Sequence, residues 1–314
     1  MLLNYIAYYV GRDIDAPRFV KNSREAWNEE PLHRLNFIER YFYKLAFNNA
    51  VKHVASLWVF NFLKKHTKDG IRLDRKAIDP TIFDVEEKLL NKTKNKFTFF
   101  CPGRVERFKG TDLLWKSLPL CKSDFEILQV DWFGETNDEE KRFKKKMLDN
   151  VPPQVKFIPM IKRKDMVKFY NFADAVIGNL FLGFYEYGEL EGVFCKKPVI
   201  SYSNPKEKII MDDEYKESPF LPKSNDPETI ANTIDKIVQS KEFREELFEN
   251  EWKLTKEITD PIKNAEWWDD LFLSTHEKCS GINKNSSSIK KKMRIWLFLT
   301  GNRLYFKKIK KLFS

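Results

Sequence analysis

From Phe97 onward, short apolar runs alternate with charged amphipathic stretches, and this alternation restricts the fold more than any other feature of the chain. "KFTFFCPG" is an apolar run closed by Pro102 and Gly103, which suits a buried parallel strand. The pattern then predicts a helix over Asp112 to Leu118, a strand in "FEILQVDWFG", a charged helix over Glu139 to Asn150 and a strand over Gln154 to Ile158. Lys164 to Phe172 reads as helix, "ADAVIGN" as strand, the residues around Leu190 as helix and "PVISYS" as strand. Strands and helices taking turns at this spacing define βαβ units, and therefore an α/β fold with a parallel, Rossmann-like sheet. Asp226 to Ser240 opens with the capped start "DPETI", and further helices run to about Phe272. No internal repeat is present.

The N-terminal side reads differently. Glu25 to Lys68 carries aromatic and aliphatic residues at helical spacing, first Phe37, Tyr41, Leu45 and Ala46, then Val51, Ala55 and Val59. A strand-like piece, Ile71 to Leu73, leads into the turn "AIDPTIF", and Asp84 to Lys96 reads as a linker with a helical turn. The expected organisation is a partial, mostly helical region at 1–95 and a sheet domain at 96–262. A return helix at 263–278, a flexible linker at 279–288 and a tail at 289–314 follow.

Hydrophobic residues make up 42% of the chain and aromatic residues 15%, which excludes a disordered polymer. No apolar run approaches the roughly 20 residues of a membrane-spanning helix, and the first residues lack the pattern of a signal peptide. Cys101, Cys121, Cys195 and Cys279 are widely separated, without metal-ligand spacing, so buried thiols in a reducing cytoplasm are expected. The four histidines have no partners at catalytic spacing. The net charge of +10 resides wholly beyond Cys279, where ten Lys or Arg and no acid occur; the first 278 residues hold 46 bases and 46 acids. The tail interleaves these bases with Ile295, Trp296, Phe298, Tyr305, Phe306 and Ile309. Such a segment suits an anionic membrane surface, at about 1 kcal/mol per Lys or Arg, and equally a solvated or packed tail. A neutral body argues against nucleic acid as a partner.

Two segments carry candidate chemistry. In "CPGRVERFKG", Arg104 and Lys109 lie in a loop between a strand end and a helix start, where ligands of open α/β sheets bind. Two cations there can bracket a diphosphate, although a solvated turn would look the same. In "ADAVIGNLFLGFYEYGELEGVFCKKPVI", a strand runs into a glycine- and aromatic-rich loop and then a helix near Glu189-Leu190-Glu191. A carboxylate at such a helix start can accept hydrogen bonds from a ribose diol, or can simply complement the helix dipole. Asp131-Trp132, at another strand end, could line the same cleft.

Taken in order, these pieces resemble the C-terminal domain of the family-four retaining glycosyltransferases of the GT-B fold, within the glycosyl transferases group 1. "PGRVERFKG", "VKFIPMI", "KFYNFADAVIG" and "LEGVFCKKPVI" resemble that family's "GR…KG", "V.F.G", "YY..AD" and "LEAMA.GKPVI", and "AIDPTIF" resembles its "NGVD...F". The resemblance runs from about Tyr9 to Phe272 and is strongest from Phe97 to Tyr202. It implies a sugar transferred with retention from a UDP- or GDP-type nucleoside-diphosphate sugar to a glycan or lipid-linked acceptor. Arg104 and Lys109 would hold the donor diphosphate, which itself serves as the base; neither a metal nor another cofactor is expected. Gly103, Gly110, Gly183, Glu186, Gly188, Glu189, Leu190 and Glu191 would bind the donor. Glu191 matches the second Glu of the family's E-x7-E pair, whereas the position of the first is Gly183. Glu186, Glu189 or backbone amides of the loop would then take over its role.

"YYVGRDID" resembles the family's "H.HG.D", with Asp13 matching the Asp near the donor sugar. The acceptor domain is expected to be only partly present, through a late start, a split gene with a partner chain, or reduction. Expected placement is cytoplasmic, peripheral on the inner face of the membrane. A non-catalytic nucleotide-sugar-binding subunit of a split enzyme and a membrane-associated scaffold are the alternative readings.

Overall fold

The computed structural model describes residues 6–9, 47–64, 67–68, 70–83, 96–134, 138–211 and 214–280. The chain divides into two compact units, one of residues 1–73 with 265–314 and one of residues 74–264.

In the first unit, β1 (Ile6–Tyr9), β2 (Lys52–Ala55) and β3 (Gly70–Arg72) form a parallel sheet in that order, with Ile6 opposite Lys52 and His53 opposite Gly70. Helix α1 (Leu57–Leu63) sets Val59 and Leu63 against Ala55, while Val54 joins Leu73, Leu271, Trp267 and Trp268 in a separate cluster. Neighbouring residues facing different clusters is the period of a strand. Within the helix expected over Glu25 to Lys68, this places a strand at Lys52–Ala55 and a short helix at Leu57–Leu63; residues 25–46 lie outside the described residues. The aliphatic spacing of "VKHVA" fits a helix stripe, but His53, Val54 and Ala55 are all buried, as a central strand laddered on both edges requires.

The second unit is built on five parallel strands: β4 (Phe97–Cys101), β5 (Phe125–Val130), β6 (Val155–Ile158), β7 (Ala175–Ile177) and β8 (Val199–Ile200). Between them run α2 (Thr111–Ser117), α3 (Asp138–Leu148), α4 (Met166–Phe172) and α5 (Tyr187–Phe194). Along β4, Phe100 enters one core cluster with Tyr170, Leu190 and Leu254, and Phe99 and Cys101 enter the other with Leu114, Leu118 and Ile234. The sheet is thus covered on both faces, which is why its strands read as unbroken apolar runs. A short antiparallel pair, β9 (Ile209–Met211) and β10 (Glu214–Lys216), was not foreseen; three-residue strands are too short to show a period.

Helix α6 (Pro227–Gln239) is capped by the Asp226 carboxylate, which accepts from the Thr229 N–H at 2.8 Å, and α7 (Lys241–Ile258) and α8 (Pro261–Ser280) follow. The unit starts at Asp74, earlier than the boundary expected at residue 96. Tyr185 Oη donates to the Asp74 carbonyl at 2.5 Å, Arg75 donates to the Glu257 carbonyl at 2.8 Å, and Phe83 enters the core. Helix α8 takes in Cys279 and Ser280, which were expected to begin the linker. The rest of the linker and the tail at 289–314 lie outside the described residues. Among the described residues no helix is long and apolar enough to cross a membrane.

Candidate active site

The strand order β6-β5-β4-β7-β8 places the topological switch, where successive strands begin to be added on the opposite side, between β4 and β7. Connections leaving two such strands diverge and open a crevice beyond their carboxyl ends. Here the loop after β4 and the loop after β7 enclose a cleft of about 720 Å³.

The first loop carries Gly103, Arg104 and a single 3-10 turn, Arg107–Lys109, that ends at Gly110. Gly110 has φ +72°, and a Cβ there would stand 2.8 Å from the Leu180 carbonyl carbon, so backbone sign and packing both require glycine. That close approach lets the Leu180 N–H donate to the Lys109 carbonyl at 3.0 Å. Arg104 lies 5.2 Å from the ring centroid of Trp132 and pairs with Glu106 at 3.2 Å. Burial raises the Glu106 carboxyl, with Arg104 and Lys109 opposing. For the Lys109 ammonium, burial alone would lower the pKa, but the charges of Glu186, Glu189 and Glu106 outweigh it and the net direction is upward.

The second loop is organised by Asn179, a buried residue at the end of β7 that sequence reasoning missed. Its Nδ2 donates to the Phe108 carbonyl at 2.9 Å and to Glu186 Oε2 at 2.8 Å, and its Oδ1 accepts from the N–H groups of Phe181 and Leu182. One side chain therefore fixes both loops. The only hint of it in the sequence is a polar amide directly after "AVIG", at a strand's carboxyl end.

Three carboxylates follow. Glu186 caps α5, accepting from the Glu189 N–H, and its Oε2 contacts Lys109 Nζ. Glu189 returns the cap by accepting from the Glu186 N–H at 3.0 Å, and its other oxygen accepts from the Asn179 N–H at 2.6 Å and from Ser201 Oγ at 3.3 Å. Burial, then the Glu186 charge, raise its pKa, and its contacts are those of a residue bracing the loop. Glu191 accepts from Tyr170 Oη at 3.0 Å and pairs with Arg163 at 2.5 Å. Burial raises the Glu191 carboxyl and Arg163 opposes that shift. Arg163, just before α4, was not singled out from the sequence.

Of the residues expected to bind donor, Gly103, Arg104, Lys109, Gly110, Glu186, Gly188, Glu189 and Glu191 line the cleft, with Trp132 and Met160 at its edge. Two others are placed elsewhere. The Leu190 side chain is fully buried in the core, and its N–H points to the Glu186 carbonyl at 3.5 Å. Gly183 has φ +82° and packs so tightly on Asn204 that a Cβ would meet the Asn204 Cβ at 2.8 Å. The position of the missing first Glu is thus a backbone device and leaves no room for a carboxylate. Asp13 lies outside the described residues. Among the described residues, no group of three or more His, Cys, Asp or Glu is arranged to hold a metal.

A covered parallel sheet whose switch-point crevice joins a glycine-framed basic loop to an acid-capped helix defines a ligand-binding α/β domain. The sequence pattern of the glycosyl transferases group 1 matches residues 83–253, more than half of the chain, and the chain belongs to that family. No curated protein matches it in sequence. Sucrose-phosphate synthase of Thermosynechococcus elongatus is similar in structure, with a TM-score of 0.62 at 15% identity over 87% of this chain and 69% of that one. HepE of Anabaena, solved in complex with UDP and glucose, gives a TM-score of 0.59 at 16% identity over 85% of this chain and 71% of its own. A glycosyltransferase of Rickettsia africae gives 0.50 at 15% identity, covering 81% and 76%. At these identities the likeness is one of fold, and the fold is that of the GT-B glycosyltransferases.

Proposed function

We propose that this chain transfers a glycosyl group from a UDP-type nucleoside-diphosphate sugar to a glycan or lipid-linked acceptor, with retention of anomeric configuration. The observation that carries the reading is the pair Arg104 and Lys109, brought into one switch-point cleft beside the start of α5. That donor set is the chemistry of an anionic ligand: two cations, backbone N–H groups and no bulky side chain at Gly103 or Gly188. The shared fold with HepE, which was solved with UDP, supports a uridine donor over the guanosine alternative.

In this reading Arg104 and Lys109 hold the diphosphate and stabilise the charge that grows on it as the bond from the anomeric carbon to its oxygen breaks. Each such donor is worth on the order of a few kcal/mol in a water-poor site. The acceptor oxygen bonds to the anomeric carbon on the same face, and its proton passes to the leaving diphosphate. Glu191, oriented by Tyr170, offers a carboxylate to the ribose diol. The basic tail at 289–314 would bring the enzyme to an anionic membrane surface.

The test is calorimetric titration of UDP, GDP and ADP into the purified chain, repeated with Lys109→Ala. Saturable binding of UDP is expected, weakened about tenfold or more by the substitution, equivalent to ~1.4 kcal/mol. Incubation with UDP-sugars and NMR of the product's anomeric proton tests retention. A folded chain that binds no nucleotide, with or without the substitution, would overturn the assignment.

A further inference from the structure

The described cations that line the cleft are Arg104, Lys109 and Arg163, and each already faces a carboxylate: Glu106, Glu186 and Glu191 respectively. A diphosphate therefore enters a site whose positive charges are in use. The three pairs are not equivalent. Glu106 belongs to the same short loop as Arg104 and moves with it. Glu191 is 1% exposed and anchored by Tyr170 Oη. Glu186 alone spans the two loops, from the first residue before α5 to Lys109, with 29% of its side chain exposed.

The groups around Glu186 are of three kinds. Its carboxylate meets the Lys109 ammonium, the Asn179 amide at 2.8 Å and the Glu189 backbone N–H at the first turn of α5. An ammonium, a side-chain amide and a helix-start N–H converging on one oxygen-bearing anion are what a phosphate group would use.

We infer that Glu186 is an internal stand-in for the donor's phosphate: its carboxylate occupies the anion site of the empty cleft, and the incoming diphosphate displaces it from Lys109 and Asn179. The inference rests on the proposed nucleotide-sugar reading and adds a residue that sets donor affinity. Lys76, whose ammonium lies 5.5 Å from the Tyr187 ring centroid, interacts electrostatically with Asp74 and then with Glu186 and Glu189. Diphosphate wins the exchange because it carries two or more charges against one. Nucleosides without phosphate have no part in it.

Two variants remove the charge while keeping a cap for α5: Glu186→Gln, which preserves size, and Glu186→Ser, a favoured N-cap too short to reach Lys109. Both, checked for folding by thermal unfolding, are titrated with UDP, uridine and inorganic pyrophosphate beside the parent chain. Affinity for UDP and pyrophosphate is expected to rise about tenfold or more while that for uridine stays level, the gain expected when a competing charged partner is removed. Folded variants that bind UDP more weakly than the parent, or equally, would overturn the inference and leave the nucleotide-sugar reading intact. Tighter pyrophosphate binding with no binding of any nucleotide would support the internal anion and overturn the donor assignment. Folded chains that bind neither pyrophosphate nor UDP would overturn both.

Discussion

The side-chain amide of Asn179 donates to the carbonyl of Phe108 at 2.9 Å, joining residues 71 positions apart. The same amide group reaches Glu186, so Asn179 ties the loop that carries Lys109 to the loop that caps α5, beside the Leu180–Lys109 hydrogen bond and the Lys109–Glu186 pair. Asn179→Ala should destabilise the chain by about 2–4 kcal/mol, because it leaves a carbonyl and two N–H groups without their partner. Urea unfolding measures the loss, and calorimetry should show nucleotide affinity falling with it. A variant as stable as the parent would mean that water or backbone rearrangement replaces the amide.

Gly110 and Gly103 flank the same loop but should respond differently to an added methyl group. At Gly110 a Cβ collides with the Leu180 backbone in a left-handed conformation; at Gly103 its nearest neighbour is the flexible Lys109 side chain at 3.7 Å. Gly110→Ala should therefore cost about 2 kcal/mol or more, and Gly103→Ala less than about 0.5 kcal/mol. Chemical denaturation of the two variants side by side decides it, and similar losses would contradict the geometry.

Restoring the acid that the family resemblance expects at position 183 should fail. The left-handed φ and the packing on Asn204 oppose any side chain there. Gly183→Glu is expected to lower stability by about 2 kcal/mol or more without strengthening UDP binding. A folded Gly183→Glu chain with improved affinity would show that the loop can reshape around an acid.

The helix α7 residue Glu251 is fully buried, with one oxygen accepting from the Val199 N–H at 2.9 Å and the other lacking a hydrogen-bond partner. Burial pushes its carboxyl well above the ordinary value, and the Val199 hydrogen bond opposes this only in part. A raised folded-state pKa means that its contribution is complete below the unfolded-chain value of about 4.3 and is lost as pH rises through the folded value. Glu251→Gln should accordingly be near neutral at about pH 4 and more stable than the parent at about pH 8. Urea midpoints at both pH values measure this, and a pH-independent difference would refute it.

The sheet of residues 74–264 was legible because burial on both faces leaves a signature that needs no partner to be read: "FTFFC", "FEILQV" and "AVI" are continuous apolar runs punctuated by turn residues. The place of Arg104 and Lys109 at the cleft was legible for a related reason, since strand ends and glycines mark the loops at the carboxyl edge of such a sheet. Lys52–Ala55 was not, because its aliphatic spacing satisfies a helix as well as a strand and only the ladders to β1 and β3 decide between them. Asn179 and Arg163 act through partners far away in sequence, and neither belongs to a local pattern. The structural role of Gly183 was hidden for the opposite reason: comparison with a family pattern made it an absence, whereas its packing against Asn204 makes it a requirement.

The strand order also sets a timetable. Because β7 follows β5 and β6 in the chain although it pairs with β4, the two walls of the cleft are synthesised at different moments. A ribosome that has released only the segment through α4 has released Arg104 and Lys109 without Asn179 and Glu186. Their counter-wall, from Asn179 to Glu191, emerges later and closes against them through contacts distant in sequence, the slow kind. Until then the first loop lacks the wall that completes the cleft.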